Sequence, residues 1–334
     1  MKQDYIDFFK DKRILVTGGT GTFGHGITEF LLNLPIQALI ILSRDELKQF
    51  NMKTKFSLHC NFKKLRFFIG DIRDRDRISM ALHEVDIVFH AAALKRIDTI
   101  EYNPMEAIKT NILGTQNMIE ESIKNKVKYF MTISTDKAVN PCNLYGGTKF
   151  CSEKLTISAN NSISGGITKF SVSRYGNVLG SRGSVIHIFN ECKNKNKSLK
   201  ITDTNMTRFN ITINEAIIFV IENLVEMSGG EIFVPKLKSY KILDIAKYFS
   251  GSDFNKYEIT GLREGEKIYE EMISNNESSN AKFLGNKYVI LSNNLLVSDK
   301  YKNVPDFKGD SYNSYDNEFL TYNEIINLIN KVLK

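Results

Sequence analysis

Two side chains in the middle of the chain have the spacing of a proton-transfer pair. Tyr145 and Lys149 are four residues apart, so a helix would place both on one face. A nearby ammonium group lowers the pKa of a phenol towards neutrality, and the phenol can then exchange a proton with a substrate hydroxyl. Because the same spacing is common in surface pairs, the interpretation depends on where the pair lies relative to other motifs.

A polar triplet, Thr135, Asp136 and Lys137, precedes this pair and follows the apolar segment 129–134. The segment predicts a strand, and ligands of open α/β sheets bind where the strands end. Thr135 can hydrogen-bond a reacting hydroxyl. Asp136 and Lys137 add an acid and a base that a simple hydride transfer does not need. A solvent-facing ion pair is the alternative explanation for these last two residues.

The segment 17–24 reads TGGTGTFG and lies between the first predicted strand and the first predicted helix. In this position Gly18 permits a tight turn, Gly21 lets the backbone approach a pyrophosphate, and Gly24 permits close packing of helix on strand. The glycines are three residues apart, unlike the usual G-x-G-x-x-G pattern, and a plain glycine-rich turn is the alternative. We predict a dinucleotide site whose contacts include Gly18, Thr20, Gly21, Thr22, Phe23 and Gly24.

The end of the second predicted strand, at Ser43 and Arg44, indicates which dinucleotide binds. NAD enzymes usually carry an acidic residue here, which binds the ribose 2′-hydroxyl. A guanidinium group instead matches a 2′-phosphate in charge and in paired donors, and Lys48 follows one turn later. We therefore predict NADP. NAD remains an alternative in which Arg44 stacks on the adenine and Asp45 binds the ribose.

Two later strand ends complete the predicted cofactor site. The residues after the third strand would reach the adenine, and small side chains after the fourth strand would line the cofactor. The predicted contacts are Asp71, Ile72, Ala91, Ala92 and Ala93, with Lys95, Tyr145 and Lys149 at the reacting end of the cofactor.

The apolar pattern predicts a parallel sheet that would bring these motifs together. Short continuous apolar segments alternate with amphipathic stretches in the first half of the chain, which is typical of strands covered by helices on both faces. The predicted strands are 13–17, 38–42, 65–69, 86–90 and 129–134, with a helix at 24–33. We predict an α/β fold: a Rossmann doubly wound parallel sheet with a smaller, interleaved substrate-binding domain.

The second half of the chain predicts a second domain whose segments alternate with returns to the sheet. The expected elements are helices at 215–227 and 241–249 and a strand at 231–234. The predicted boundaries are 1–176 and about 209–237 for an NADP-binding Rossmann domain, and about 177–208 and 238–334 for a substrate domain. The stretch 275–316 is polar and rich in Asn, so we expect it to be loosely ordered or packed on a neighbouring chain.

Composition narrows the class of protein. The 334 residues carry a net charge of +7, and 42% of them are hydrophobic, which suits a globular protein of two domains. Basic and acidic residues alternate, so we predict no nucleic-acid partner and relate the positive excess to a phosphorylated small substrate. No apolar segment is long enough to span a bilayer and the start has no signal-peptide pattern, which predicts a cytoplasmic protein without a membrane partner. Four scattered cysteines predict free thiols, and five histidines without ligand spacing predict no metal site.

Longer stretches surround these motifs and carry a resemblance to a known family. They are SRDELKQF at 43–50, FFIGDIRD at 67–74, HAAALK at 90–95, EYNPMEAIKTNILGTQN at 101–117, STDKAVNPCNLYGGTKFCSEKL at 134–155, RYGNVLGSRGSV at 174–185, ITDTNMTRF at 201–209, GGEIFVPK at 229–236 and REGEK at 263–267. Over about residues 10–275, the chain resembles the inverting UDP-N-acetylglucosamine 4,6-dehydratases of the extended short-chain dehydrogenase/reductase superfamily, the first enzymes of pseudaminic acid synthesis. The related retaining sugar dehydratases carry Glu at the position of Lys137.

The resemblance implies a reaction in which bound NADP is regenerated. Tyr145 would take the proton of the C4 hydroxyl while C4 is oxidised, and the new ketone would acidify the C5 hydrogen. Lys137 would be the base that removes it, and a protonated Asp136 would donate to the departing C6 oxygen. Hydride would then return to C6, and C5 would be reprotonated from the opposite face. Since the base must be a neutral amine, we expect burial, Lys149 or the oxidised nicotinamide to lower the pKa of Lys137.

The resemblance also implies the substrate and its contacts. The product would be UDP-2-acetamido-2,6-dideoxy-β-L-arabino-hex-4-ulose, a precursor for flagellin glycosylation, and the enzyme would form a homo-oligomer, either a dimer or a hexamer. Besides Tyr145, the implied contacts are Lys95 and Asn177 near the sugar and diphosphate, and Arg208, Arg263 and Glu266 near the uridine and phosphates. Structural pairing between domains is the alternative role of the two arginines.

Three departures from the family pattern touch the expected sugar pocket. Asn210 replaces an aromatic residue, the segment 96–98 replaces a Val-Pro step, and Gly147 replaces a common Ala. Other functions on this fold are another sugar-nucleotide 4,6-dehydratase and a 4-epimerase. A cofactor-sensing protein without turnover is an alternative from a different class. Lys137 favours the inverting dehydratase over the epimerase.

Overall fold

The computed structural model of the protein describes residues 2–162, 166–180, 184–251, 257–292 and 299–333. Its strands are β1 (Arg13–Thr17), β2 (Ala38–Ser43), β3 (Leu65–Ile69), β4 (Ile87–His90), β5 (Tyr129–Thr135), β6 (Lys169–Tyr175), β7 (Leu199–Ile201), β8 (Thr207–Phe209), β9 (Glu231–Pro235), β10 (Ser239–Lys241), β11 (Tyr257–Ile259), β12 (Glu271–Ile273), β13 (Ala281–Phe283), β14 (Lys287–Leu291) and β15 (Tyr312–Asn313). The first five begin and end within one residue of the predicted bounds.

Nine of the described strands form one sheet, in the order β13-β14-β9-β6-β5-β4-β1-β2-β3. The seven strands from β9 to β3 are parallel, and β1 lies between β2 and β4. The chain order of the strands reverses on the two sides of β1, which is where open α/β sheets form their ligand crevice. The predicted doubly wound parallel sheet is therefore confirmed.

Helices connect the parallel strands and cover both faces of the sheet. In chain order, the α-helices of the described residues are α1 (Gln3–Phe9), α2 (Thr22–Leu31), α3 (Glu46–Phe56), α4 (Arg75–Ala81), α5 (Ile97–Tyr102), α6 (Pro104–Ala107), α7 (Gly114–Lys124), α8 (Leu144–Ser158), α9 (Val185–Asn194), α10 (Ile213–Glu226), α11 (Ile242–Ser250), α12 (Asn275–Ser278) and a last helix, Tyr322–Leu333. Of these, α9, α11 and the last helix pack in a separate core. A π-helical segment, Ile108–Leu113, joins α6 to α7.

Alternate side chains of the parallel strands fill two apolar layers. In β1, Ile14 and Val16 belong to a core shared with α2 and α10, whereas Leu15 belongs to a core shared with α4 and α7. All three are fully buried, and burying such a side chain contributes about 1.5–3 kcal/mol. Burial on both faces is the reason that these strands are continuously apolar in sequence.

A smaller apolar core lies apart from the sheet. It contains Phe189 of α9, Leu199 of β7, Ile245 of α11 and Ile325 of the last helix. Strand β7 pairs with β11 outside the main sheet, and β8 pairs with β10. Three residues of the motif at 174–185, residues 181–183, lie outside the described part of the chain.

The polar stretch 275–316 contributes two strands to the main sheet. Strands β13 and β14 form an antiparallel hairpin, and β14 pairs with β9, where Val289 lies opposite Phe233. For this hairpin the expectation of loose order was wrong, since Val289 is fully buried and its neighbours Tyr288 and Ile290 are nearly so. The hairpin extends the sheet although the predicted boundaries assign its residues to the substrate domain.

Candidate active site

A buried hydrogen-bond network joins the carboxyl ends of β1 and β4. Thr17 Oγ1 lies 2.9 Å from His90 Nδ1 and accepts hydrogen bonds from the next two backbone amides after β4. His90 Nε2 lies 3.0 Å from Thr115 Oγ1. Burial, together with the charge of Lys149, lowers the pKa of His90 to about 3, so the ring is neutral and positions the loop. The role of this histidine was not predicted from the sequence, because it is the last residue of an otherwise apolar strand.

The glycine turn has geometry that larger residues would disrupt. Gly18 has φ +63°, and a Cβ there would lie 2.8 Å from the Cα of Ala92. A Cβ at Gly24 would lie 2.0 Å from the carbonyl oxygen of Gly19. The tight turn expected at Gly18 is present, while the close neighbour of Gly24 is the turn itself and not the strand. Gly21 precedes α2 as its N-cap residue.

Residues at the carboxyl end of β2 are hydrogen-bonded and ion-paired to nearby side chains. Asp45 caps α3 by accepting from the Lys48 amide at 2.9 Å, and its carboxylate also lies 2.7 Å from Lys48 Nζ. Arg44 Nη1 lies 3.3 Å from Asp71 Oδ2, and about half of its side chain is exposed. The buried Gln49 donates to Ser43 and so holds the strand end in place.

A cleft runs along these strand ends and collects most of the predicted cofactor contacts. Its lining contains Gly18, Thr20, Ser43, Arg44, Asp45, Lys48, Asp71, Ile72, Ala92 and Ala93, together with Leu42, Gly70 and Thr110, which the sequence analysis did not assign. Thr22 and Phe23 begin α2, where Phe23 packs against the core, and Ala91 directly follows β4. The glycine turn, the small alanines and the basic strand end fit a dinucleotide.

The Thr135-Asp136-Lys137 triplet forms a compact turn at the carboxyl end of β5. The Thr135 hydroxyl caps this turn and donates to Asp136 Oδ1 at 3.0 Å. Lys137 Nζ donates to the same Asp136 oxygen at 3.1 Å and to Asn177 Oδ1 at 2.8 Å. Asp136 is fully buried, so the ion pair with Lys137 is not the solvent-facing loop pair considered as an alternative.

Glu270 also contacts the triplet, although it is 133 residues away in sequence. Its Oε1 lies 2.9 Å from Lys137 Nζ and 3.6 Å from Arg208 Nε. The Glu270 side chain is only 3% exposed. The sequence analysis missed this residue, and the only signal for it was its place just after the REGEK stretch at 263–267.

Electrostatics support the acid predicted in this cluster but contradict the predicted state of the base. Burial raises the pKa of Asp136, in line with a carboxyl that can hold a proton. Burial alone would lower the pKa of Lys137, but the carboxylates of Asp136 and Glu270 outweigh it, and the pKa is raised. The expectation of a lowered pKa for Lys137 was therefore wrong for the protein alone, because the charges of Asp136 and Glu270 beside the amine outweigh its burial.

Tyr145 and Lys149 lie on α8 as expected, but they do not interact as expected. Lys149 Nζ donates to the carbonyl oxygen of Ile133 at 2.8 Å. Burial lowers the pKa of Lys149 to about 8, against the opposing charge of Glu153. Burial raises the pKa of Tyr145 to about 12, while Lys137 and a hydrogen bond with Thr135 oppose the shift. The predicted lowering of the phenol pKa by Lys149 is not observed, since that ammonium group is directed at the backbone.

The predicted substrate residues do not all face open space. Arg208 is buried and donates to the carbonyl oxygens of Thr207, Lys267 and Ile268, as in the structural alternative considered for it. Arg263 is exposed, and the Glu266 carboxylate folds back to accept its backbone amide at 3.3 Å.

The loop that carries these residues lies against the start of α8. Asn143 Nδ2 donates to the Gly265 carbonyl oxygen at 2.8 Å, and Lys267 Nζ donates to the carbonyl oxygen of Val139 at 2.6 Å. On the opposite side, Asn111 holds the loop that contains the exposed Lys95 through two hydrogen bonds to Leu94. The structure thus brings the 263–267 loop to the residues just before Tyr145.

The structure shows the surroundings of two of the three departures from the family pattern, Gly147 and Asn210. A Cβ at Gly147 would meet no atom within 4 Å, so this Gly and the more common Ala are sterically equivalent here. Asn210 is buried, and its Oδ1 has no hydrogen-bond partner among the described residues. Within the same residues, no group of three or more His, Cys, Asp or Glu side chains could hold a metal ion, and no helix is long and apolar enough to cross a membrane.

Two relatives that are similar to this chain are named as nucleotide-sugar enzymes. An inverting UDP-N-acetylglucosamine 4,6-dehydratase from Campylobacter jejuni subsp. jejuni serotype O:23/36 is 46% identical over 96% of this chain and 98% of the relative. A UDP-glucose 4-epimerase from Rickettsia bellii (strain OSU 85-389) is 43% identical over 84% of this chain and 83% of the relative.

Two solved structures match the fold. The X-ray structure of Pen from Bacillus thuringiensis is 38% identical, covers 97% of this chain and 98% of its own, and superimposes with a TM-score of 0.89. The dTDP-glucose 4,6-dehydratase DesIV from Streptomyces venezuelae, with NAD and TYD bound, covers 77% and 86% with a TM-score of 0.68. At 21% identity the second match supports the fold alone.

The sequence profile of one family spans most of the chain. The family is described as polysaccharide biosynthesis protein, and its profile matches residues 14–292, which include the glycine turn, the triplet, the Tyr-Lys pair and Glu270. The chain therefore belongs to the polysaccharide biosynthesis protein family, on the fold of the short-chain dehydrogenase/reductase superfamily.

Proposed function

We propose that the protein is an NADP-dependent UDP-N-acetylglucosamine 4,6-dehydratase that inverts C5, and hence a hydro-lyase. One observation carries the proposal: a buried acid, Asp136, and an amine, Lys137, are hydrogen-bonded near Tyr145 at the carboxyl end of β5, on the same edge of the sheet as the dinucleotide cleft. Hydride transfer alone needs neither of the first two groups, whereas water elimination needs an acid and a base. The 46% identical dehydratase relative supports the same reaction.

The cleft residues support a nicotinamide dinucleotide, and Arg44 supports NADP over NAD. The turn at Gly18 would hold the pyrophosphate, and the Arg44 guanidinium would bind the 2′-phosphate with its free donors. Asp45 is already paired with Lys48, which disfavours it as the ribose ligand of an NAD enzyme. When bound, the nicotinamide supplies the hydride acceptor for the first step and the hydride donor for the last.

Tyr145 and Thr135 act on the C4 hydroxyl in this proposal. Tyr145 accepts the hydroxyl proton, and its hydrogen bond with Thr135 opposes the rise of the phenol pKa that burial causes. The raised pKa of Tyr145 in the protein alone means that the phenolate needs further positive charge. The oxidised dinucleotide carries that charge on its ring.

Asp136 and Lys137 act at C6 and C5 in this proposal. Burial keeps Asp136 able to hold a proton, which it donates to the C6 oxygen as that oxygen leaves. Lys137, once it has lost a proton, takes the C5 hydrogen that the new ketone has made acidic. Asn177 holds the amine in place at 2.8 Å.

Of the remaining predicted contacts, Lys95, Arg263 and Glu266 suit the nucleotide end of the substrate. They lie on loops at the strand ends or beside the start of α8. Arg208 has a structural role in this proposal and does not contact the substrate, because backbone carbonyl oxygens and Glu270 already engage its guanidinium. The resemblance supports a product that enters pseudaminic acid synthesis for flagellin glycosylation.

The test is to incubate the protein with UDP-N-acetylglucosamine in heavy water without added reductant and to identify the product by NMR. The expected product is the C5-inverted 4-keto-6-deoxy sugar with deuterium at C5, because C5 exchanges its proton with solvent. A product that retains the C6 oxygen and differs only at C4 would replace this proposal with the 4-epimerase, which the Rickettsia relative supports.

The variant Lys137→Ala tests the role of the base. It should bind substrate and oxidise C4, so nicotinamide absorbance should change in a single turnover. It should then stall, because loss of a general base costs about 10²–10⁴-fold in rate. Lys10→Ala, which removes an exposed lysine far from the cluster in sequence, is the matched control and should behave as wild type. Dehydration at normal speed by Lys137→Ala would remove Lys137 from the mechanism.

A further inference from the structure

Glu270 is a buried carboxylate that transfers no proton in the proposed reaction. Its Oε1 contacts Lys137 Nζ at 2.9 Å, and its Oε2 has no hydrogen-bond partner among the described residues. Burying a carboxylate with one oxygen unsatisfied costs several kcal/mol unless a nearby cation compensates. The cation that it contacts most closely is Lys137.

Two hydrogen bonds to Ser314 anchor the backbone of Glu270 beside the triplet. The Glu270 amide donates to Ser314 Oγ at 2.9 Å, and the Ser314 amide donates back to the Glu270 carbonyl oxygen at 2.8 Å. Directly after it, β12 pairs with β15. Lys137, in contrast, has a long flexible side chain that needs partners to stay in one place.

We propose that Glu270 is a positioning residue for Lys137: its carboxylate holds the amine against Asp136 and Asn177 and sets the pH at which that amine can accept a proton. The three oxygen atoms lie 2.8–3.1 Å from Lys137 Nζ and approach it from three separate parts of the chain. The catalytic meaning of this contact rests on the proposed function, in which Lys137 is the C5 base.

Charged and titratable groups from several elements act on Lys137. They are Asp136 on its own turn, Tyr145 on α8, Arg208 on β8, Tyr240 on β10, and Glu270, on which Lys267 of the loop before β12 also acts. Burial lowers the pKa of Lys137, but Asp136 and Glu270 together raise it further than burial and Arg208 lower it. When Asp136 holds the proton that the proposed reaction needs, Glu270 is the carboxylate charge that keeps the amine protonated.

A raised pKa makes Lys137 a stronger base once its proton has left. The C5 hydrogen is a carbon acid even beside a ketone, and proton transfer from a weak acid is faster to a more basic amine. Removing the charge of Glu270 should therefore have two effects. The amine should become neutral at lower pH, and its rate of proton abstraction when neutral should fall.

The variant Glu270→Gln tests this directly, because Gln keeps the shape and one acceptor oxygen but not the charge. Lys137 reactivity can be followed without turnover by brief labelling with acetic anhydride across a pH series and peptide mass spectrometry. The midpoint of Lys137 labelling should move to lower pH by about one unit or more, as expected when a charge within 4 Å is removed. Glu271→Gln, whose carboxylate contacts Asn140, is the matched control and should leave the midpoint in place.

Turnover supplies the second readout. In Glu270→Gln the rise of kcat/KM with pH should move in the same direction as the labelling midpoint, and the plateau should fall about tenfold or more. Glu270→Asp, which keeps the charge, should recover part of both effects, and thermal unfolding should show that all variants are folded. An unchanged labelling midpoint in Glu270→Gln, or an equal shift in Glu271→Gln, would overturn the inference. If wild type instead fails to dehydrate the substrate, the proposed function fails, and the labelling result still decides the Lys137–Glu270 contact.

Discussion

Tyr145, Thr135, Asp136 and Lys137 form a connected path of polar groups within eleven residues of sequence. Thr135 links the phenol to the carboxyl, and the carboxyl links to the amine. The pKa directions along this path are set by burial and by the opposite charges that burial forces together. Sequence spacing identified the groups, while their protonation depends on neighbours from other segments.

Replacing Tyr145 by Phe should abolish C4 oxidation, because no phenolate would be available to take the hydroxyl proton. The fold should persist, since only a hydroxyl at a half-buried position is removed. The measurements are single-turnover nicotinamide absorbance and the melting temperature. Turnover near the wild-type rate in a folded variant would exclude Tyr145 from the chemistry.

Replacing Arg44 by Ala should weaken NADP binding about tenfold or more, with little effect on NAD, because a charge-assisted pair with the 2′-phosphate is lost. Dissociation constants for both dinucleotides from fluorescence titration provide the measurement. Arg73→Ala is the control, since Arg73 pairs with the same Asp71 carboxylate but does not line the cleft. Equal loss for NADP and NAD would contradict the role of Arg44 in choosing between them.

Among the elements, β6, α8 and α12 are joined by a buried ion-pair cluster. Arg174 of β6 is 1% exposed and donates to Glu153 of α8 and to both carboxylate oxygens of Glu277 in α12. Glu277 also closes the capping box of α12 with Ser274. Tyr145 lies on α8, and α12 follows directly after β12, which Glu270 precedes. The ion-pair cluster therefore helps to hold these two parts of the site at fixed positions relative to each other.

Replacing Glu277 by Gln should destabilise the protein by about 3 kcal/mol at pH 7, because Arg174 would lose a charged partner in a buried site. Burial opposes the effect, but Arg174 and Ser274 hold the pKa of Glu277 at about 2, below its ordinary 4.5. A depressed pKa gives stability that is present above pH 4.5 and is lost as the pH falls towards 2.

Urea unfolding at several pH values measures this effect. The difference in stability between wild type and Glu277→Gln should be largest at neutral pH and should shrink between about pH 5 and pH 3. Glu258→Gln, a change at an exposed carboxylate, is the control and should show no such difference. A gap that stays constant over this pH range would show that the charge of Glu277 is not what stabilises the cluster.

In the whole molecule, distant segments complete one sheet. Val289 in β14 belongs to the same apolar core as Ile14 in β1 and Ile217 in α10. Three stretches of sequence therefore build the layer that supports the dinucleotide cleft. Because segments distant in sequence share this core, we expect the protein to unfold cooperatively.

Replacing Val289 by Ala should lower the free energy of unfolding by about 2 kcal/mol, since a fully buried side chain leaves a cavity. Within each protein, far-UV circular dichroism and release of bound dinucleotide should report the same unfolding midpoint, and this midpoint should be lower in the variant than in wild type. Leu58→Ala, at a side chain that is 98% exposed, is the control and should change neither. Separate midpoints for the two probes would show that the hairpin and the cleft unfold independently.

The sequence by itself determined the parallel sheet and the identity of the chemical groups. Continuous apolar strands, the glycine turn and the Tyr-Lys spacing are local patterns, and local sterics and burial decide them. The first five strands, the basic end of β2 and the Thr-Asp-Lys turn could all be predicted for that reason. The carboxyl ends of parallel strands meet at one edge, so the cleft and the Thr-Asp-Lys turn lie on the same side of the sheet.

Tertiary structure alone decided which groups meet across long sequence separations. Glu270 reaches Lys137 from the other half of the chain, Lys149 turns to the Ile133 carbonyl, and Arg208 binds backbone carbonyls instead of open cleft. The β13–β14 hairpin joins the sheet through backbone hydrogen bonds that its polar surroundings in sequence did not reveal. Protonation and pairing in a low-dielectric interior depend on such contacts, which no local pattern encodes.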